Sequence, residues 1–151
     1  MFRGLSKVTL DAKGRMAVPS RYRDKILSRG SGELVITADV RGTCLMIYML
    51  PDWEEFERKL ARSPTLHPAA RRLQALMQGY ASDVEMDAHG RILVPRLLRD
   101  VVKLEKQCML VGQGVRFELW DEERWTEQSE RWRSEDADFA DLPPELGALF
   151  F

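Results

Sequence analysis

Asp11-Ala12-Lys13-Gly14-Arg15 occurs twice in this chain, the second time as Asp87-Ala88-His89-Gly90-Arg91. The echo extends beyond the five residues. Val8-Thr9-Leu10 before the first copy answers Val84-Glu85-Met86. Met16-Ala17-Val18-Pro19 after it answers Ile92-Leu93-Val94-Pro95, and Arg23 answers Arg99. Further on the offset shortens: Gly42 answers Gly114, Ile47-Tyr48 answers Leu119-Trp120, and Trp53 answers Trp125. The second copy has lost four residues in the connection before its third strand, where the first carries Ser28-Arg29-Gly30-Ser31-Gly32. An internal repeat at this spacing means two copies of one supersecondary unit in one chain.

Each copy reads in the same order. Residues 6–10 and 15–18 alternate apolar and polar, as the two strands of a hairpin do. Between them Asp11 can accept from backbone N–H groups, and Gly14 can take positive φ. Pro19 ends the strand, and Ser20 is placed to N-cap a short helix over 21–27. Strands are expected over 33–38 and 44–50, joined by an Asp39–Thr43 turn. Helices are expected from Pro51 to about Arg62, with Trp53, Phe56 and Leu60 on one face, and from Pro68 to Gln78, with Ser63-Pro64 breaking them apart. The second copy supplies a hairpin over 81–86 and 91–94, a helix over 96–101, strands over 108–112 and 115–120, and a helix over 121–134. The expected divisions are a first unit 1–62, a connecting helix 63–79, a second unit 80–134 and an acidic tail 135–151, mobile or loosely docked.

Units this small rarely build a sufficient core alone. The two copies are therefore expected to pack about a pseudo-two-fold axis. The expected core is Val8, Leu10, Val18, Leu34, Ile36, Leu45 and Ile47 with Val84, Met86, Val94, Leu110, Phe117 and Leu119. Helix surface around Trp53, Phe56, Leu73 and Leu76 is expected to meet another subunit.

The 151 residues carry a formal net charge of −1, which hides an asymmetry. Residues 1–30 hold eight Lys/Arg against Asp11 and Asp24, residues 83–112 hold five of each sign, and residues 118–151 hold eleven Asp/Glu against three Arg. A local basic face, and not the total, governs nucleic-acid binding. No apolar run reaches a membrane-spanning length and no signal peptide opens the chain, so a cytoplasmic protein is expected. Cys44 and Cys108 stand alone beside apolar runs, as packed, reduced thiols do.

The residues also carry a resemblance. Asp11–Pro19 repeated as Asp87–Pro95 resembles the MraZ family, bacterial proteins built from two SpoVT/AbrB-like domains. The likeness runs from Met1 to about Trp132 and includes Cys44-Leu45, the Trp53 helix and Phe117-Glu118-Leu119-Trp120. It implies a mixed β/α fold: tandem swapped-hairpin β-barrel units related by a pseudo-two-fold, with flanking helices. It also implies a ring homo-oligomer that binds short direct repeats in double-stranded promoter DNA. The regulated genes would be the division and cell-wall cluster including its own gene, usually repressed, and the protein would be nucleoid-associated.

By position, the DNA-contacting motif falls on Asp11, Lys13, Gly14 and Arg15, and by symmetry on Asp87, Gly90 and Arg91. On the residues alone, Arg15 either lies on solvent or offers a planar, permanent cation to guanine or phosphate. The basic surroundings and the resemblance favour DNA. Arg91, in balanced surroundings and with His89 in place of Lys13, is assigned a structural or weaker binding role. Asp11 and Asp87 organise their turns, since a carboxylate repels phosphate, and Gly14 and Gly90 serve conformation. Lys7, Lys13, Arg21 and Arg23 read as phosphate contacts, and each is equally consistent with a solvated surface.

No enzymatic constellation emerges. His67 and His89 are the only histidines. Asp87-x-His89 lacks the further ligands of a metal site, the cysteines have no evident base, and Gly112-Gln113-Gly114 is a turn. No cofactor, metal, membrane or small-molecule substrate is expected. The alternative is a protein-interaction module, because antitoxins of the AbrB type pair such a hairpin with an acidic tail like 135–141.

Overall fold

In the computed structural model, residues 1–62, 66–134 and 141–150 are described. The first copy contains β1 (Phe2–Thr9), β2 (Arg15–Ala17), α1 (Ser20–Gly30), β3 (Glu33–Ala38), β4 (Leu45–Met49) and α2 (Leu50–Ala61). Then come α3 (Pro68–Gly79), β5 (Ser82–Glu85), β6 (Arg91–Leu93), α4 (Arg96–Val101), β7 (Gln107–Gly114), β8 (Arg116–Asp121), α5 (Glu122–Ser134) and α6 (Pro144–Phe150). The repeat is thus visible element by element. The expected break at Ser63-Pro64 and most of the acidic run lie outside the described residues. The apolar Gly147–Leu149 belong to α6.

The strands pair across the copies, which corrects the hairpin expectation. β1 does not pair with β2. It runs antiparallel to β7, from Phe2 opposite Gly114 to Thr9 opposite Gln107. β5 likewise pairs with β3 of the first copy. β2 pairs with β6, with Met16 opposite Ile92. The result is a six-stranded antiparallel sheet in the order β1-β7-β8-β4-β3-β5 and a separate β2-β6 ribbon. Exchanging the two copies turns this order into its own reverse. A pseudo-two-fold therefore passes between β4 and β8 and through the ribbon. The sheet ends at β1 and β5, and no ladder among the described residues closes it into a barrel. Two separate barrel units are therefore not formed; one open sheet serves both copies. The alternation of Val8 and Leu10 correctly marks a strand, but period two says nothing about which strand lies alongside.

The turn between β1 and β2 is nonetheless tight. Asp11 N–H donates to Arg15 O at 2.9 Å, and Gly14 N–H donates to Asp11 O at 3.0 Å. Asp87 and Gly90 repeat both bonds at 2.9 and 3.0 Å. α1 starts at Ser20 itself, with Pro19 as its N-cap and no side-chain cap, so Ser20 is not the cap. The first turn is closed through the backbone instead, Tyr22 N–H donating to Pro19 O at 3.0 Å. The helix ends with Ser31 left-handed at φ 54°. Ser31 N–H donates to Leu27 O and Gly32 N–H to Ile26 O, a Schellman-type stop.

One core joins the sheet's inner face, the ribbon, α1 and α4. All thirteen expected core residues belong to it, Val84 at its partly buried edge. The sequence reading omitted Phe2, Met16, Tyr22, Ile26, Ile92, Leu98 and Val102. Phe2 stacks on Phe117 at 4.0 Å between centroids and meets Tyr22 edge-on at 5.6 Å. Removing a large side chain such as Leu98 or Leu119 from this core would cost about 2–5 kcal/mol.

Helices cover the outer face in matching pairs. α2 lays Trp53 and Phe56 over Val35, Met46 and Tyr48, and α5 lays Trp125 over Met109, Val111 and Trp120. Trp53 is therefore satisfied by its own sheet and is not left for another subunit, whereas Leu66 and Leu73 are exposed. α3 is fastened by the buried Thr37 hydroxyl, which donates to Met77 O at 2.7 Å. Among the described residues no helix is long and apolar enough to cross a membrane.

Candidate nucleic-acid interface

The two Asp-x-x-Gly-Arg loops are joined side by side at the ribbon. Val18 N–H donates to Gly90 O and Val94 N–H donates to Gly14 O, each at 2.8 Å. Antiparallel pairing of β2 with β6 places Arg15 opposite Leu93 and Ala17 opposite Arg91. Met16, Ile92, Val18 and Val94 are buried, so Arg15 and Arg91 alternate away from the core.

Within each loop the aspartate divides its oxygens. Asp11 Oδ1 accepts from the Lys13 and Arg15 backbone N–H groups, each at 2.9 Å, while Oδ2 accepts from Arg15 Nε at 2.9 Å. Asp87 Oδ1 accepts from His89 N–H at 2.8 Å and Arg91 N–H at 2.9 Å, and Oδ2 accepts from Arg91 Nε at 3.3 Å. The Arg15 backbone N–H is the main cause that holds the Asp11 carboxyl down at about 2; the Arg15 side chain and Lys13 N–H add to it, and partial desolvation opposes it. Asp87 is lowered by the corresponding Arg91 N–H first. Both aspartates thus stay ionised and hold their loops, as expected of turn-organising residues.

Only Nε of each loop arginine is engaged. The terminal amino groups of Arg15 and Arg91 make no hydrogen bond among the described residues, and their side chains are 34% and 37% exposed. Lys13 is exposed, and its ammonium has no partner among the described residues. The loop glycines have two reasons to be glycine. Gly14 has φ +88° and Gly90 φ +75°. A Cβ on Gly14 would lie 2.6 Å from Cζ of Arg99, and one on Gly90 would lie 2.5 Å from Cζ of Arg23.

Arg23 and Arg99 therefore cross between the copies. Each is anchored through Nε to a carbonyl of its own copy, Arg23 to Val18 O at 2.7 Å and Arg99 to Val94 O at 3.0 Å. Arg99 was not among the expected site residues, although it stands opposite Arg23 in the repeat. Counting charge along sequence windows hid it, because residues 83–112 balance. The same count set the second loop in neutral surroundings, whereas Arg23 of the basic stretch lies directly on it.

The remaining expected contacts are less free. Arg21 donates to the Ser6 hydroxyl at 2.6 Å and the Tyr22 hydroxyl at 2.8 Å, and its guanidinium lies 4.7 Å from the Tyr22 ring centre. Lys7 is exposed on β1, 3.9 Å from Glu122. No bond brings either to a loop. The thiols are buried and unpaired. Burial pushes Cys108 up to about 12 and raises Cys44 further, so neither is a nucleophile.

This arrangement can grip an anion: planar cations on a rigid, glycine-backed ridge, with no chemistry of their own. Comparison with known proteins agrees with a repeat at this place. The family described as "MraZ protein, putative antitoxin-like" matches twice, over residues 1–76 and 77–142. A protein of Alkalilimnicola ehrlichii named transcriptional regulator MraZ is 52% identical over 149 residues, covering 99% of each chain. One of the same name from Halorhodospira halophila is 51% identical over 150 residues, again with 99% coverage of both. A third, from Legionella pneumophila, is 44% identical over 147 residues, with 97% coverage of both. These relatives are named as regulators, not as enzymes.

Proposed function

The chain belongs to the MraZ family, and from that premise we propose that it is a sequence-specific DNA-binding transcriptional regulator. The observation that carries the reading is the pair of adjoining loops whose arginines keep their terminal amino groups free among the described residues. Arg15 serves a guanine edge or a phosphate through its planar fork. Lys13 adds a mobile phosphate contact, Gly14 shapes the loop and lets Arg99 lie against it, and Arg91 takes a smaller share. Lys7, Arg21 and Arg23 supply surrounding positive charge that fixes register without reading sequence.

The names of the relatives support regulation of transcription. The finer reading is repression of the division and cell-wall gene cluster containing its own gene, through short direct repeats in the promoter. A ring homo-oligomer would set several ridges on successive repeats and multiply a weak single contact through effective concentration. The exchange of β1 and β5 between copies supports the swapped-hairpin topology of that assembly's subunit. A cytoplasmic, nucleoid-associated protein follows from the same reading.

The test is binding to the DNA upstream of the gene across a salt series. Affinity should fall by about 0.9 log units per phosphate contact for each log unit of salt. A flat profile, or equal affinity for scrambled DNA, overturns the reading. The second reading, an antitoxin-type interaction module, draws on the wording of the family description and the acidic stretch 135–141. Regulation unchanged after deletion of 135–151 would remove it.

A further inference from the structure

Two arginines elsewhere grip a carboxylate with two nitrogens each. Arg29 grips Asp52 through Nε at 3.0 Å and Nη2 at 2.6 Å. Arg58 holds Glu55 through Nε at 3.2 Å and Nη2 at 2.7 Å. Arg15, Arg91, Arg23 and Arg99 behave differently. Each spends Nε alone, on an aspartate or a carbonyl, and leaves its terminal amino groups unbonded among the described residues. Tethering through Nε fixes the plane of a guanidinium while leaving its outer edge available, the edge that pairs bidentately with guanine or phosphate.

The four fall into two pairs, and each pair spans the copies. Arg99 lies on Gly14, the residue before Arg15, and Arg23 lies on Gly90, the residue before Arg91. Neither Arg23 nor Arg99 has a carboxylate partner among the described residues, and Lys13 precedes Gly14 in the first loop. Each pair thus sets two guanidiniums against one aspartate, Asp11 or Asp87, and a bound anion relieves the excess positive charge.

We infer that the molecule carries two composite anion forks, Arg15 with Arg99 and Arg91 with Arg23, each completed by an arginine of the other copy. Arg99 is thereby a DNA-contacting residue of the first loop, and Arg23 belongs to the second loop and not to the first. The pairing follows from the crossing at the ribbon: the α1 arginine reaches the loop before β6, and the α4 arginine reaches the loop before β2. The inference rests on the DNA-binding reading above.

A double-mutant cycle on the full chain tests it, with promoter DNA as the probe and fluorescence anisotropy as the readout. Arg99→Gln should weaken binding about tenfold, within the range for loss of one bidentate contact. Combined with Arg15→Ala it should cost clearly less than the product of the two effects, because both act in one fork. Arg23→Gln combined with Arg15→Ala should multiply. Multiplication in the first pair with coupling in the second overturns the inference. So does an Arg99→Gln protein that melts normally and binds within about twofold of the wild type. Should Arg99→Gln not fold, Arg99→Lys keeps the charge without the planar fork, and unchanged binding and discrimination in that variant are equally fatal. Failure of the wild type to prefer its promoter would overturn the DNA-binding reading and this inference together, whereas promoter binding unweakened without Arg99 overturns the inference alone.

Discussion

The loops at 11–15 and 87–91 are nearly the same object in two settings. Both aspartates hold two backbone N–H groups with one oxygen and an arginine Nε with the other. Both glycines are left-handed and lie under an arginine from the opposite copy. What differs is the third residue, Lys13 against His89, whose backbone N–H does the same work in each loop while its side chain does none. The geometry needs an aspartate, a glycine and an arginine at fixed places and leaves that position open. Divergence between the copies has settled there, on charge and not on shape.

The harshest challenge to the likeness is Gly14→Val against Gly90→Val. Each forces a β-branched residue into positive φ and pushes a Cβ into a guanidinium. Each should destabilise the protein by about 1–3 kcal/mol and abolish specific binding, as read from thermal melts and anisotropy. A clear difference between the two melts would break the structural equivalence of the loops.

Next is Arg15→Ala against Arg91→Ala. The first should weaken promoter binding by about 10- to 100-fold, the range for a bidentate base contact; the second should fall short of it. Equal losses would show that the loops share the DNA evenly and that Lys13 confers no advantage. His89→Lys sharpens the same point from the other side. It should tighten binding a few-fold and steepen the salt dependence by about 0.9, as one added phosphate contact does.

The smallest effect is an acid titration. Both carboxyl groups lie below their ordinary range in the folded protein, so the ionised loops stabilise it above the unfolded-state value. That contribution fades as pH falls through the folded value. Lys13 and Arg15 amide resonances should therefore move with a midpoint of about 2. The His89 and Arg91 amides should report Asp87 below the ordinary carboxyl range. An ordinary midpoint in either loop would mean that its aspartate does not hold the backbone in solution.

Much of this was legible in the sequence because it is local. The repeat, the thirteen expected core residues, the turn role of Asp11 and the 96–101 helix all follow from patterns within a few residues. Whatever depends on partnership was not. Leu10 and Met16 announce strands, but nothing near them reveals that β1 belongs beside β7. Phe2 stands at the terminus without an apolar pattern around it, and its core role comes from Phe117 and Tyr22, which are distant in sequence. Arg99 is masked in sequence by a window of balanced charge, and only the fold brings it onto Gly14 of the other copy. Its match to Arg23 was the available signal.

The exchange of first strands also bears on when this protein comes into being. Phe2 finds its ladder partner only at Gly114, so the first strand emerges from the ribosome long before its place in the sheet exists. Pairings this distant make folding slow relative to that of local architectures. A chain released after its first copy would hold one reading loop but lack the ribbon partner and the arginine that complete it. On the DNA-binding reading proposed above, binding would therefore require the second copy to have been made, since β6 and Arg99 belong to it.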